Sequence, residues 1–114
     1  LPVVVTEGMK RGLTWPRLVE FVSTNPAKRF GLYGRKGDIE IGFDADLVLF
    51  DPTLSWTLKT EDLYYVNKHS PFVGRTFAGR VTTTLVRGEV VYQDRHILVE
   101  PGFGQFHRME VQQG

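Results

Sequence analysis

The sequence predicts an α/β chain, helical up to residue 37 and strand-rich from residue 38 onward. Three observations carry that prediction. Trp15, Leu18, Val19 and Val22 recur at the spacing of one helix face. Leu47-Val48-Leu49-Phe50 is a short unbroken apolar run, fenced by Asp44 and Asp46 before it and Asp51-Pro52 after it. Arg80 to Arg87 is rich in β-branched residues, and Gly88 separates it from a second strand-forming run, Glu89 to Tyr92.

Taken in order, residues 1–10 satisfy two readings. Val3-Val4-Val5 favours a strand, whereas Pro2 near the start and Glu7 to Lys10 favour a helix. The next helix is better defined. Thr14 is placed to cap it, Pro16 sits in its first turn where a missing N–H is harmless, and Phe21 widens its apolar stripe. Asn25-Pro26 repeats the start signal, with Asn25 as cap and Ala27 to Phe30 as a turn. Gly31 then supplies the left-handed conformation that ends helices.

Beyond Gly37, Ile39 and Ile41 alternate with polar residues ahead of the Leu47–Phe50 run, which reads as a strand buried on both faces. Residues 52–79 are less regular. They hold Trp56, a short helical turn around Glu61 to Tyr65, and a His69-Ser70-Pro71 turn. Arg80–Tyr92 is the best hairpin of the chain. The stretch after Pro101 is glycine-rich, then polar, and is expected to fray at its end.

Composition narrows the function. The chain has 114 residues, 41% of them hydrophobic and 24% charged, values of an ordinary folded domain. A net charge of +1 lacks the basic surface of a nucleic-acid binder. The absence of cysteine excludes disulfides and thiolate metal sites and suits a reducing, cytoplasmic setting. No apolar run is long enough to cross a bilayer, so no membrane partner is expected. The apolar start Leu1–Val5 has no basic region before it, and reads as a cut inside a packed element or as processing of a mature protein.

The candidate chemical groups are few. His69, His96 and His107 lie far apart in sequence, without the spacing of a metal motif. Asp44-x-Asp46 offers two neighbouring carboxylates for acid–base work, but their place at the mouth of a strand favours turn-shaping. Asp51-Pro52 reads the same way. Ser23, Ser55 and Ser70 lack a nucleophile-elbow context, and His69-Ser70 is too close in sequence to make a productive pair. Gly34-Arg35-Lys36-Gly37 lacks the full phosphate-loop pattern and reads as a solvated turn. Gly102-Phe103-Gly104 is too short for a dinucleotide fingerprint.

Specific strings nonetheless resemble a known family. Leu1-Pro2-Val3-Val4, Thr6-Glu7-Gly8 and Lys10-Arg11-Gly12-Leu13 are similar to the late-barrel region of allantoinases. Thr24-Asn25-Pro26-Ala27-Lys28, Phe30-Gly31-Leu32 and Arg35-Lys36-Gly37 resemble the wider dihydroorotase–hydantoinase–allantoinase group. Gly42-Phe43-Asp44-Ala45-Asp46-Leu47-Val48 resembles a strand shared still more widely among amidohydrolases. His69-Ser70-Pro71-Phe72-Val73-Gly74-Arg75 favours allantoinase over its cousins. Arg87-Gly88-Glu89-Val90-Val91-Tyr92 and Gly102 to Arg108 are similar to the closing hairpin and final segment.

The resemblance implies the last helices of a (β/α)₈ TIM-type barrel in residues 1–37. It implies C-terminal strands of a small β-sandwich, plus a tail, in residues 38–114. It also implies a homo-oligomeric enzyme acting on allantoin with a divalent metal, zinc by family habit. The family's metal ligands fall before this sequence begins, so no catalytic, substrate-binding or metal residue is expected here, and the principal partner is the rest of the barrel. Asp44 and Asp46 match the strand motif rather than the metal aspartate, and Lys28 matches the Asn-Pro-Ala-Lys helix rather than the carboxylated lysine. A dihydroorotase or hydantoinase segment, or a non-catalytic interaction module, are the competing expectations.

Overall fold

A computed structural model describes residues 1–64 and 66–108. The expected fraying beyond residue 108, and Tyr65 at the end of the expected helical turn, lie outside the described residues.

The opening ambiguity resolves as helix. Helix α1 spans Pro2–Lys10, with Pro2 in its first turn and Val5, Thr6 and Gly8 buried. Burial decides against strand propensity here. A Cβ on Gly8 would lie 2.8 Å from Leu18 Cδ2, so glycine lets the second helix lie close. That second helix is α2, Trp15–Val19. It runs without a break through a wide π-turn, Glu20–Thr24, into α3, Asn25–Arg29.

Thr14 takes the expected cap position, whereas the expected helix start at Asn25 is corrected. Thr14 occupies the N-cap position of α2 in extended conformation, but makes no side-chain cap bond, and its carbonyl accepts from the Leu18 N–H at 3.0 Å. Asn25 does not start a new helix, for it has helical φ and ψ of −66° and −43°. Pro26 needs the Val22 carbonyl moved aside, because its ring collides with that group in a regular helix. The wide turn just before it, in which the Asn25 N–H reaches back to Glu20 O, provides the space without ending the helix. Gly31 ends the run as expected, at φ +70°. Leu32 N–H donates to Ala27 O at 2.8 Å and Gly31 N–H to Lys28 O at 3.4 Å, the paired bonds of a Schellman closure.

The remainder forms a four-stranded antiparallel sheet in the order β1-β2-β3-β4: β1 Leu47–Thr57, β2 Thr76–Val86, β3 Glu89–Gln93 and β4 His96–Ile97. The expected hairpin is β2–β3. It turns through Arg87 and Gly88, both with positive φ (+50° and +80°), the twist that suits a two-residue hairpin.

The Leu47–Phe50 strand is present, but not buried on both faces. It is an edge strand with Val48 and Leu49 about half exposed, and it continues to Thr57 past Pro52. Pro52 has no N–H to donate, which confines it to an edge or a bulge, and the register shifts between Asp51 and Ser55. No strand forms at Ile39 and Ile41. Both are exposed, in a loop that turns at Gly37 and Gly42. The expected helical turn is a 3₁₀ turn, Thr60–Asp62.

Helix α1 packs on β2. Thr6 Oγ1 accepts from the Ala78 N–H at 3.2 Å, and Phe77 is buried between them. Gly79, at φ +101°, lets the Phe50 ring press on the strand, where an added Cβ would meet ring atoms at 2.4 Å. Trp15 meets Phe50 edge-on at 5.8 Å. Of the predicted helix stripe only Leu18 is buried; Trp15, Val19, Val22 and the flanking Phe21 are 43–48% exposed.

Candidate functional site

The densest polar cluster grows out of the Gly31 closure. Leu32 O accepts from the Arg35 and Lys36 N–H groups, at 3.2 and 2.9 Å, which folds the chain back on itself. Arg35 O then accepts from the Asp44 N–H at 2.8 Å. This brings Lys36 between the two aspartates, with its Nζ 2.9 Å from Asp44 Oδ2 and in contact with Asp46 Oδ2. Arg35 Nε donates to Asp44 at 3.1 Å. The other oxygen of Asp46 accepts from the Arg87 N–H at 2.9 Å, while Ala45 O accepts from the Gly88 N–H at 2.9 Å. Finally the Arg87 guanidinium donates to Phe103 O at 2.6 Å and lies 4.5 Å above the Phe103 ring. His107 Nε2 stands 4.0 Å from Asp44.

Four segments therefore meet at one clasp: the loop after α3, the entry to β1, the β2–β3 turn and the closing stretch. The electrostatics suit holding rather than reacting. Hydrogen bonds from Lys36 and then Arg35 keep the Asp44 carboxyl below the ordinary range. Burial pushes Asp46 upward, but the bonds from Lys36 and the Arg87 N–H outweigh it and the net shift is down. Burial likewise pushes Lys36 down, and its bonds to Asp46 and Asp44 outweigh that, leaving it raised.

A general acid needs a raised carboxyl, and a general base needs a lone pair free to take a proton near neutrality. Neither aspartate offers that. Nor do they fit a divalent metal: the Lys36 ammonium occupies the place between the carboxylates where a cation would sit. Among the described residues no three His, Asp or Glu side chains converge.

The remaining candidates separate in space. Ser70 Oγ accepts from the Phe72 N–H at 3.2 Å, so His69-Ser70-Pro71 is the turn expected of it. His96 lies in the short strand β4, paired with Gln93. Asp51 accepts from the Thr53 N–H at 2.8 Å, a local turn bond. Asp44 and Asp46 depart from the expected local role, since their carboxylates reach across the fold. Gly34–Gly37 departs too: Lys36 is mostly covered and fully paired rather than solvated.

Sequence reasoning overlooked Arg87, whose backbone and side chain both work in the clasp. Its signal was available, an arginine at a turn position that demands positive φ. Beside the clasp an open cleft of about 450 Å³ lies between the loop after α3 and the closing stretch. Tyr33, Arg35, His107 and Arg108 are its titratable lining, without a carboxylate or a serine.

The family described as "Amidohydrolase family" matches residues 4–91, and the chain belongs to it. An allantoinase from Rubrobacter xylanophilus is 45% identical over the whole of this chain and 25% of its own length. An L-hydantoinase from Paenarthrobacter aurescens is 41% identical over 93% of this chain and 23% of its own length. Among solved structures, a D-hydantoinase (dihydropyrimidinase) from Thermus sp. superposes with a TM-score of 0.89 at 38% identity, covering 96% of this chain and 24% of that one. The chain thus spans about a quarter of the length of the relatives it matches.

Proposed function

We propose that this chain is the C-terminal part of an allantoinase, an enzyme that opens the hydantoin ring of allantoin with water to give allantoate in purine breakdown. The observation that carries the reading is the higher identity to an allantoinase, 45% over the full chain, than to a hydantoinase, 41% over 93% of it. The His69–Arg75 string supports the same choice. In this reading residues 1–37 are the final helices of a (β/α)₈ barrel, and residues 38–114 belong to a β-sandwich and its tail. The enzyme is cytoplasmic and homo-oligomeric.

The clasp residues do not fit a metal, so the divalent ion, zinc by family resemblance, and the groups that act on the ring belong to the rest of the barrel. What this chain contributes is a rigid frame: the clasp fixes the end of the last helix against the sheet. A hydantoinase is the second reading, supported by the close superposition on the Thermus enzyme.

Substrate profiling of the complete enzyme tests the choice. Hydrolysis of allantoin at a kcat/KM at least tenfold above those for hydantoin and dihydroorotate is expected. A preference for either of the other rings replaces the reading.

A further inference from the structure

We propose that the open cleft beside the clasp is a phosphate-binding site, in which Arg35 and Arg108 hold the anion between the loop after α3 and the closing stretch. The inference does not depend on which ring the enzyme opens.

Three observations carry it. The first is the make-up of the walls. The cleft, about 450 Å³, falls within the roughly 300–1,000 Å³ of small-molecule sites. One wall is Gly31 to Arg35 and the other is Phe106 to Arg108. Each wall supplies an arginine and neither supplies a carboxylate, so an anion between them is met from two sides. A guanidinium presents a planar fork of N–H donors that matches phosphate oxygens in pairs. Both walls are already fixed, the first by the Asp44 N–H on Arg35 O and the second by the Arg87 guanidinium on Phe103 O, which lowers the ordering cost of binding.

The second is the charge left over. Asp44 and Asp46 are matched by Lys36 and Arg35, two carboxylates against two cations. Arg35 reaches Asp44 through Nε, and its side chain is 56% exposed, which leaves the terminal nitrogens of the fork for a ligand. Among the described residues no carboxylate pairs with Arg108. Lys28 adds positive charge at the edge, its Nζ 4.8 Å from the centroid of the lining Tyr33 ring. Asp38 accepts from the Tyr33 hydroxyl at 3.2 Å, so Tyr33 offers the cleft its ring rather than its proton.

The third is Phe106, which lines the cleft and is 87% exposed. A ring so placed adds little to the core. Beside arginines it is a platform on which the flat base of a phosphorylated compound can stack.

The test is calorimetric titration of the full-length protein that contains this chain, with inorganic phosphate and separately with adenosine monophosphate. Saturable binding of phosphate is expected. Arg108→Gln should weaken it about tenfold, the loss of one charge-assisted bond. Lys10→Gln removes the same charge at an exposed position outside the cleft and should leave binding unchanged. Should Arg108→Gln lower the Tm, Arg108→Lys, which keeps the charge without the fork, should bind with an affinity between the two. Adenosine monophosphate binding about tenfold tighter than phosphate, with the margin lost in Phe106→Ala, assigns a phosphate carried on a planar base. Equal binding of the two assigns free phosphate. Absence of saturable binding of both overturns the proposal, as does phosphate binding that Arg108→Gln leaves unchanged or that Lys10→Gln weakens equally.

Discussion

Lys36 is the residue at which the helical and strand-rich parts are tied. Replacing it with methionine keeps the aliphatic stem but leaves Asp44 and Asp46 facing each other without their shared cation. The expected cost is about 2 kcal/mol in urea unfolding, the scale of charge-assisted hydrogen bonds. The pH dependence has a fixed sign. The aspartates are depressed in the folded chain, so their contribution is complete above the ordinary carboxylate range and is lost as pH falls through the folded values. Lys36 is raised, so its contribution is complete below the ordinary lysine range and is lost as pH rises through its folded value. The Tm difference between native chain and Lys36→Met should therefore be flat through neutrality and shrink at both ends.

A second residue-scale prediction concerns Arg95. It sits at φ +73° in the β3–β4 turn, a conformation disfavoured for a side chain bearing a Cβ. Its ion pair with Asp62 is long, at 3.9 Å, and exposed. Arg95→Gly should stabilise the chain by about 1 kcal/mol in the same unfolding measurement.

Among elements, legibility followed locality. The Gly31 helix end and the Arg80–Tyr92 hairpin are set by residues within a few positions of one another, and sequence is enough to read them. Asn25-Pro26 carries the same kind of local signal and misleads, because Trp15–Arg29 keeps one helical course and absorbs the proline in a wide turn. Ile39 and Ile41 mislead for another reason. Their alternation has strand period, but the segment is spent connecting Lys36 to Asp44, and no neighbouring strand pairs with it. The clasp was half legible. Asp44 and Asp46 were identified as structural, but their pairing with Lys36 and Arg35 follows from the loop folding back on itself, and the Arg87 N–H that bonds Asp46 lies 41 residues on, a distance no local pattern spans.

The β1–β2 pair offers the sharpest test of packing. Gly79→Ala places a methyl group 2.4 Å from the Phe50 ring at a positive φ. It should destabilise by about 3 kcal/mol, the upper end for an overpacked site. Gly12→Ala, also at positive φ but with open space around it, should cost only about 1 kcal/mol from backbone strain.

At the scale of the whole molecule the chain is too open for its length. Its radius of gyration is 15.9 Å, against about 13 Å for a self-contained domain of this size. The relatives it matches carry about three times as much additional chain. No helix among the described residues is long and apolar enough to cross a membrane.

The sheet's margins settle how an unaccompanied chain would come out of solution. β1 is broken by Pro52 and its bulge, and β4 is two residues long, so neither rim presents a long straight ladder to another molecule. Exposed apolar side chains lie on α2 and the turn after it and also on β1, at Val48 and Leu49, where the strand's ladder is soon interrupted at Pro52. Overconcentrated chain should therefore precipitate as amorphous clumps that bind a dye for loose hydrophobic surface yet leave thioflavin T dark, and a growing fibre would be stopped at the proline before its second layer formed.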